Sequence, residues 1–337
     1  MVTNVERLRD RSVSWHVLEA SRNLIFPFIG FLGIVYYIHT NQFSNFDVLL
    51  LLFFFFITGI GATVGFHRLF SHRAFKAKPW LRNTLAVLGS FAWQRPLFSW
   101  VVRHRLHHAH TDKKGDFHSP YIRCDGTKIS GTLNQFLHAH YTWLHWYDPI
   151  IDPESPLIKD LYSDSTLRWI DKHYDLLALV SLFIPGLLSM TFYGTMEGLI
   201  RGIVWGGLGR IFISLQVIWL VSSVTHMFGI KPYATGDGST NSHILGLLVM
   251  GEGYHNNHHA FPSSPCVGFD KWQIDFGWLF IKWMKKFGQV YDLKAIPDAK
   301  RRQFRKSYQQ QPGHNSLQAP SRSKRPSSLF LGLFLIY

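Results

Sequence analysis

The sequence predicts an all-α integral membrane protein with four transmembrane helices. Three segments contain no charged residue and are long enough, or nearly so, to cross a bilayer: residues 23–46, 48–66 and 176–196. A helix of about 20 apolar residues covers the roughly 30 Å of hydrocarbon in a membrane. The basic residues lie almost entirely outside these segments, and their distribution allows the positive-inside rule to assign the two sides of the membrane.

The composition excludes several other classes of protein. The 337 residues are 47 % hydrophobic and 16 % aromatic, and only two are cysteines. These values argue against a disordered chain, a collagen-like repeat and a disulfide scaffold. The formal net charge of +14 would suit a nucleic-acid-binding protein. Because the charge lies outside the apolar segments, an anionic membrane surface explains it better, and we expect no nucleic-acid partner.

The simplest partition has four spans, and the connections between them define the sidedness. The predicted spans are Leu24–His39, Val48–Phe66, Leu176–Tyr193 and Ile203–Thr225. The turn at 40–47 contains no Lys or Arg, and the turn at 194–202 contains only Arg201. The positive-inside rule therefore places both termini and the long segment 68–175 in the cytoplasm.

Two further features need interpretation. The apolar stretch Trp80–Val102 contains two arginines and a proline, so we expect a helix in the membrane interface rather than a fifth span. Arg210 lies in the fourth span, about 24 Å from His226 at 1.5 Å per residue. We therefore expect Arg210 near the surface opposite to His226, with its guanidinium extended outward beside Arg201.

Histidine is abundant, and its spacing indicates metal binding. Eight of the 19 histidines form three clusters, HRLFSH, HRLHH and HNNHH. Their members are His67, His72, His104, His107, His108, His255, His258 and His259. Residues at i, i+3 and i+4 share one helix face, so each H-x-x-H-H directs three imidazoles to one place. The i, i+5 pair lies about 140° apart on an α-helix and needs either a metal between its side chains or a distorted helix end.

The predicted topology gathers these clusters on the cytoplasmic side. His226, at the end of the fourth span, joins them there. Nine imidazoles exceed the needs of one ion, so we expect a cytoplasmic helical cap that holds a histidine-rich di-metal site, with four or five nitrogens per metal. Asp112, Asp116 and Glu252 stand beside the clusters and are candidates to accept hydrogen bonds from imidazole N–H groups.

The predicted ligands, all of them histidines, limit the reactions that the metal site could carry out. A hydrolytic zinc centre would be expected to use H-E-x-x-H, which the sequence lacks. A histidine-rich metal transporter would need ionisable residues deep in several spans, whereas these spans carry only Arg210. Two redox-active irons held by imidazoles, beside apolar helices, suit the activation of oxygen against an aliphatic C–H bond.

These motifs resemble those of a known family. HRLFSH, HRLHH and GEGYHNNHHAFP, in this order and separated by spans, closely resemble the membrane-bound fatty acyl desaturases of the Δ9, stearoyl-CoA-desaturase-like branch, from about Arg22 to Asp292. The resemblance implies a mushroom-like all-α fold, two Fe ions, and O2-dependent insertion of a cis double bond into a saturated fatty acyl chain carried as a thioester or lipid. It implies as metal ligands His67, His72, His104, His107, His108, His226, His255, His258 and His259.

The resemblance also bears on the substrate and the electron donor. Gln94 and Trp100 match residues that line the acyl tunnel of the family, and Ser222 replaces an Asn that holds a metal-bound water. Val102 and Arg103 stand where the animal acyl-CoA enzymes have an Arg-Asp pair, so CoA, acyl carrier protein and lipid stay open as acyl carriers. The H-P-G-G motif of a fused cytochrome b5 is absent from the sequence. We expect electrons from a separate carrier such as ferredoxin, rubredoxin or cytochrome b5 with its reductase.

The chain is predicted to change character near residue 298. Residues 1–298 are expected to form the membrane-bound desaturase domain, and the basic segment 299–337 a disordered tail. The alternative within enzymes is a di-iron alkyl hydroxylase on the same scaffold, which would return oxygen to carbon. The alternative from another class is the metal transporter.

Overall fold

The computed structural model describes residues 5–309, which are mainly helical. The α-helices are α1 (Val13–Ala20), α2 (Phe26–His39), α3 (Asn45–Ile60), α4 (Pro79–Ser90), α5 (Leu97–His110), α6 (Thr132–His140), α7 (Lys159–Tyr162), α8 (Ser165–Lys172), α9 (Tyr174–Tyr193), α10 (Met196–Gly202), α11 (Arg210–Met227), α12 (His243–Leu248), α13 (His255–Ala260), α14 (Phe276–Lys286) and α15 (Asp298–Gln309). Short 3-10 turns occur at Leu8–Asp10 and Thr142–His145, and π-helical segments at Ser21–Ile25, Gly61–Ser71 and Ile203–Gly209. The strands are β1 (Val5–Arg7), β2 (Lys76–Ala77), β3 (Tyr147–Pro149) and β4 (Val290–Tyr291), and they form antiparallel pairs β1–β3 and β2–β4.

Within residues 5–309, four helices are long and apolar enough to span a membrane. They cover Val13–His39, Asn45–Ser71, Tyr174–Tyr193 and Met196–Met227, three of them through π-helical segments that continue an α-helix. Their outward faces carry large exposed apolar side chains, such as Leu52 and Phe183. The prediction of an all-α protein with four spans is confirmed.

The turns at one end of the spans are joined by a buried ion pair. Ser44 caps α3, and its backbone N–H donates to Asp47 in a capping box. The Asp47 carboxylate, fully buried, accepts from Arg201 Nη2 at 2.6 Å and from the Tyr193 hydroxyl at 3.0 Å. A buried charge is tolerated only when it is paired and hydrogen-bonded. These contacts therefore hold the turn before α3 against the turn between α9 and α10.

Glycine allows α9 and α10 to pack in close contact. A Cβ atom at Gly202 would lie 2.2 Å from the Pro185 carbonyl oxygen and 2.6 Å from Ser189 Cβ. The chain reverses between the two helices at Gly194, which has a φ of 69°, a left-handed conformation that glycine adopts without strain. The third and fourth spans thus form a tight antiparallel pair.

Arg210 does not extend to the membrane surface. Its side chain is fully buried, with Nε donating to the Gly206 carbonyl at 3.1 Å and Nη1 to the Phe91 carbonyl at 2.9 Å. Phe91 ends α4, where backbone carbonyls lack partners within the helix and carry partial negative charge. The expectation of an outward guanidinium is wrong, because the end of α4 provides acceptors inside the fold.

The stretch Trp80–Val102 forms two helices rather than one helix in the membrane interface. Residues 91–96 break it into α4 and α5, and α4 packs against the π-helical segment Gly61–Ser71. The contact is close because a Cβ atom at Gly61 would lie 2.3 Å from the Gly89 amide nitrogen. The expectation of one helix is therefore wrong. The inner faces of both helices belong to the core, where Leu85 and Leu97 are buried, and the position of the stretch in the membrane interface stays a prediction.

The segment expected to be a disordered tail begins as a helix. α15 covers Asp298–Gln309, and its Phe304 ring stacks on Tyr233 at 5.8 Å between centroids. Arg305 Nη1 lies 3.3 Å from the Asp270 carboxylate. The expectation of disorder from residue 299 is thus wrong for 299–309, because this part of the tail has aromatic and ionic contacts. Residues 310–337 lie outside the described residues, and the domain boundary at 298 stays a prediction.

Replacing Gly202 with alanine is expected to destabilise the spans. The added methyl group must move the α9 backbone, and overpacking of this kind costs about 1–3 kcal/mol. The measurement is the temperature at which detergent-solubilised protein loses its monodisperse peak, which should fall by several degrees. Ile200→Ala on the same helix, where the side chain is 59 % exposed, is the control and should melt close to the wild type. Equal melting of Gly202→Ala and wild type would contradict the packing described.

Candidate metal centre

A π-helical segment brings the first two histidines together. Between Gly61 and Ser71 the helix winds more widely, and the His72 amide donates to the His67 carbonyl, five residues earlier, at 3.1 Å. Residues at i and i+5 are therefore neighbours, whereas an α-helix would separate them by about 140°. The two imidazole centroids lie 4.8 Å apart. The distorted helix end that the spacing requires is present.

Five imidazoles form the first group. They belong to His67, His72, His104, His108 and His258, and one ring nitrogen of each lies within 4.8 Å of all the others. The Nε2 atoms of His72 and His104 are 2.7 Å apart, and those of His67 and His258 are 3.0 Å apart. The group combines the end of the second span with α5 and α13.

Four imidazoles form the second group, beside the first. They belong to His107, His226, His255 and His259. The Nε2 atom of His255 is 3.0 Å from that of His226 and 3.0 Å from that of His259. The rings of His108 and His259 stack at 4.5 Å, so the two groups touch. The expectation that each H-x-x-H-H directs its three imidazoles to one place is wrong. In each motif the first and last histidines enter one group and the middle histidine enters the other, so α5 and α13 each contribute to both groups.

Carboxylates hold the outer nitrogen of four of these rings. Nδ1 lies 2.7 Å from Glu252 in His67, 2.9 Å from Asp116 in His107, 3.2 Å from Asp112 in His226 and 3.1 Å from Asp237 in His259. An Nδ1–H that donates to a carboxylate fixes the tautomer and leaves the Nε2 lone pair free for a metal. The donor set therefore fits two metal ions of the kind that imidazole binds, such as iron, zinc or copper.

The electrostatics favour the neutral form of most of these imidazoles and the ionised form of the carboxylates; in His107, burial would lower the pKa, but the contact with Asp116 outweighs it and raises the pKa. Burial, together with the neighbouring imidazoles, lowers the pKa of His104, His108 and His258 well below the ordinary value. Burial alone would raise the pKa of Asp116, but its contact with His107 outweighs this and lowers the pKa. Neutral imidazole is the form that binds metals, and an ionised carboxylate is the stronger acceptor.

A buried arginine supports the Glu252 carboxylate from the other side. Arg68 follows His67 directly, is 1 % exposed, and donates from Nη2 to Glu252 Oε1 at 3.0 Å. Its Nη1 donates to Asp275 at 2.9 Å and to the Pro265 carbonyl at 2.9 Å. Glu252 thus has one oxygen on His67 and the other on Arg68. Arg68 also connects the second span to α14, which Asp275 caps.

Comparison with known proteins agrees with this geometry. The family model described as fatty acid desaturase matches residues 47–273. A hex-5-enoyl-[acyl-carrier protein] acetylenase from Moorena producens is 35 % identical over 82 % of this chain and 85 % of its own length. An sn-1 stearoyl-lipid 9-desaturase from Anabaena variabilis is 33 % identical over 79 % of this chain and 91 % of its own. An acyl-CoA C20 Δ5-desaturase from Anemone leveillei is 33 % identical, with 72 % of each chain covered.

The chain belongs to the fatty acid desaturase family. It is an oxidoreductase that acts on fatty acyl chains, and its relatives include Δ9-type enzymes. The family predicted from the histidine clusters is thereby confirmed.

In the structure, every residue predicted from the sequence to belong to the metal site lies there. The nine predicted ligands divide into the groups of five and four, and Asp112, Asp116 and Glu252 each contact the Nδ1 of one ligand. Their roles as ligands and supports stay predictions. Gln94 and Trp100 lie beside the first group, where Trp100 stacks on His104 at 5.0 Å and its Nε1 donates to Gln94 at 3.2 Å.

Sequence reasoning missed several supporting residues. Asp237 lies in a Gly-rich loop far from any cluster, and no spacing connects it to His259. Arg68 lies inside the first cluster but is of a residue type that binds no metal. The two residues inside HNNHH, Asn256 and Asn257, are buried, and Asn257 donates to the Val267 carbonyl at 2.8 Å. Their position between the predicted ligands of HNNHH could have indicated their role, because the helix that carries the ligands must itself be fixed by hydrogen bonds.

A cavity runs from the metal groups into the membrane-spanning region. Its wall includes Thr63, Gln94, Trp100, Leu215, Trp219 and Ser222, next to His67, His104, His107 and His255. A second cavity shares Ala62, Thr63, Gln94 and Ile218 with it and continues between α3, α11 and α12 as far as Thr58 and Ser214. Polar side chains line the other part of the first cavity, among them Asn23, Arg95 and Arg103.

Asp237→Asn is expected to weaken metal binding by the second histidine group. An amide cannot hold the His259 N–H as a carboxylate does, and loss of such a support costs about 10–100-fold in metal affinity. Elemental analysis of purified protein after dialysis should give a metal content per chain that falls toward half. Asp292→Asn, which alters an exposed ion pair with Lys76, should leave the content unchanged. A wild-type metal content in Asp237→Asn would contradict the role given to this carboxylate.

Proposed function

We propose that this desaturase introduces a cis double bond, at Δ9, into a saturated fatty acyl chain in an O2-dependent reaction at two irons. The observation that carries the proposal is the position of nine imidazole nitrogens, in two adjoining groups, at one end of an apolar cavity. Two irons bound there would supply the reaction of O2 with an aliphatic C–H bond, and their electrons would come from a separate carrier protein.

The protein's own residues position the acyl chain and exclude water. Leu215, Ile218 and Trp219 of α11 form an apolar wall, and Trp100 packs against His104 at the metal end. An inert alkyl chain offers only apolar surface for binding, so its fit to such a wall must place one pair of methylene groups near the metals. The dry surroundings also protect a reactive centre from side reactions.

The depth of the cavity supports a double bond near the middle of the chain. Thr58 and His67 are nine residues apart on one continuous helix, which corresponds to at most about 13 Å at 1.5 Å per residue, because the π-helical part from Gly61 rises less per residue. The part of the acyl chain beyond the reacting carbons would occupy this depth. Relatives named as stearoyl-lipid 9-desaturases support the same position.

The polar end of the cavity is suited to the carrier of the acyl group. Arg95 pairs with Glu19 at 2.9 Å, Arg103 pairs with Asp148, and Asn23 lies beside them. Since Arg103 is engaged with Asp148 and Val102 has no charge, the arrangement favours a carrier other than CoA. A glycerolipid and acyl carrier protein are the carriers named for two relatives. We propose one of these as the substrate form, with a separate ferredoxin-like, rubredoxin-like or cytochrome b5-like electron donor.

We further propose that both termini and the metal centre lie in the cytoplasm. The Asp47–Arg201 ion pair lies at the end of the spans away from the two histidine groups, and the turns there contain no other Lys or Arg. The positive-inside rule assigns that end to the outside.

Loss of one ligand is expected to abolish desaturation. The wild type, expressed with a reductase in a host lacking its own desaturase, should add a cis monoene to the membrane lipids, and gas chromatography with mass detection gives the bond position. His258→Ala should give no product, because His258 Nε2 lies 2.9 Å from that of His108 and 3.0 Å from that of His67. His173→Ala, at a partly exposed histidine that precedes α9 and belongs to neither group, is the control. A hydroxylated product, or unchanged lipids with folded, iron-loaded protein, would overturn the proposal.

Filling the deep cavity is expected to shorten the acyl chains that react. Gly59 lines the second cavity, and Gly59→Leu would add a branched side chain there. The ratio of C16 to C18 products should rise several-fold, as measured in the same host, while total product with the shorter chain persists. Leu52→Ala, on the exposed outer face of α3, should leave the ratio as in the wild type. An unchanged ratio in Gly59→Leu would show that the acyl chain does not enter this cavity.

The sidedness is expected to be visible in cysteine labelling. In a Cys266→Ser background, Gln42→Cys in the turn before α3 and Glu154→Cys between α6 and α7 are both exposed positions. A membrane-impermeant maleimide should label Gln42→Cys in intact spheroplasts and Glu154→Cys only after lysis. The reverse pattern would invert the proposed orientation. The remaining Cys124 is buried.

A further inference from the structure

Helix α14 presents three different faces along its eleven residues. Gly277, Ile281 and Met284 are buried against the protein. Phe276, Leu279, Trp283 and Phe287, the last just beyond the helix, follow one another at helical spacing and are 36 %, 46 %, 55 % and 56 % exposed. Lys282, Lys285 and Lys286 are exposed beside this apolar stripe. Large apolar side chains aligned in this way on a surface mark a site of association.

The apolar stripe is continuous with the membrane-facing surface of the spans. The Phe276 ring lies 6.5 Å from that of Phe56, which is 44 % exposed on α3. At the helix start, the cap residue Asp275 is bound to Arg68 at the end of the second span. α14 therefore begins at the depth where the spanning helices leave the hydrocarbon, on the histidine side.

A second short helix extends the same surface. α12 exposes Ile244, Leu247 and Leu248. Its first residue, His243, contacts the exposed ring of Trp272 with centroids 4.0 Å apart, and Trp272 precedes α14 by four residues. The apolar area thus extends around part of the protein where the spans end on the histidine side.

We propose that α14, with Trp272 and α12, lies in the leaflet on the histidine side and binds anionic lipid headgroups through Lys282, Lys285 and Lys286. An interfacial helix has an apolar face with Trp, Phe and Leu and a polar face rich in lysine. Trp at the headgroup level and lysines near an anionic leaflet follow the same pattern. Continuity with Phe56 favours lipid over a protein partner, because a partner would have to displace lipid from the adjoining span. The inference is independent of the reaction proposed above.

Spin labelling of the full-length protein in nanodiscs tests the position of the helix. In a Cys266→Ser background, labels at Leu279→Cys and Trp283→Cys are compared with a lipid reference, Leu52→Cys, and a water reference, Glu154→Cys, both exposed in the structure. In discs of phosphatidylcholine with 30 % phosphatidylglycerol, both α14 labels should be accessible to O2 and shielded from a water-soluble nickel chelate. Nickel accessibility equal to that of Glu154→Cys would overturn the proposal and leave a protein partner for this face.

Headgroup recognition is tested by charge removal. Lys282→Gln, Lys285→Gln and Lys286→Gln are combined in the Leu279→Cys protein, and the depth of the label is compared in discs with and without phosphatidylglycerol. We expect the lysine-containing protein to show severalfold lower nickel accessibility in the anionic discs, and the triple variant to show the same accessibility in both. Equal accessibility in both discs for the lysine-containing protein would overturn the assignment of anionic headgroups. The Leu52→Cys reference, carried through both discs, confirms that each protein is inserted.

Discussion

The convergence of nine imidazole Nε2 atoms in a buried space is the constraint on which the rest of the structure depends. Such an arrangement is stable only when the rings are neutral and each is held in one orientation. Glu252, Asp116, Asp112 and Asp237 each contact the Nδ1 of one ring, and their carboxylate side chains are at most 9 % exposed. Their charges must be balanced in turn. Arg68 balances Glu252, and through Asp275 it extends the polar network into the cap.

One polar network therefore joins the spans to the helices outside them. The second span supplies His67 and Arg68, the fourth supplies His226, and helices α5 and α13, which lie outside the spans, supply six more histidines. Asn257 fixes α13 by donating to Val267, while Asn241 donates to Asn257. The apolar cavity descends from this polar layer between α3 and α11. Desaturation combines the two requirements, since an inert chain needs an apolar wall and the reacting centre needs fixed polar ligands.

Much of the fold and the site could be predicted from the sequence, because both leave periodic signals. Charge-free segments identify the spans, and H-x-x-H-H identifies the metal-site histidines, although not their division between two groups. The i, i+5 spacing of His67 and His72 predicted a distorted helix, and the π-helical turn supplies it. Contacts between residues far apart in the sequence leave no such periodic signal. Asp237 reaches His259 across a loop, Arg210 finds acceptors at the end of α4, and Phe304 meets Tyr233 from a segment rich in charge. Each depends on tertiary contacts that local spacing does not encode.

The π-helical segment has a consequence for how this family can change its length. A π-helical turn contains one residue more than an α-helical turn. Inserting or deleting a residue between Gly61 and Ser71 would therefore exchange one helix type for the other. Deletion would turn His72 by about 100° relative to His67 and also rotate every side chain on one side of the break. The geometry of the site therefore constrains the residue count of this segment, in addition to its buried side chains. A change in chain length is therefore expected to be tolerated in a surface loop but not in this segment.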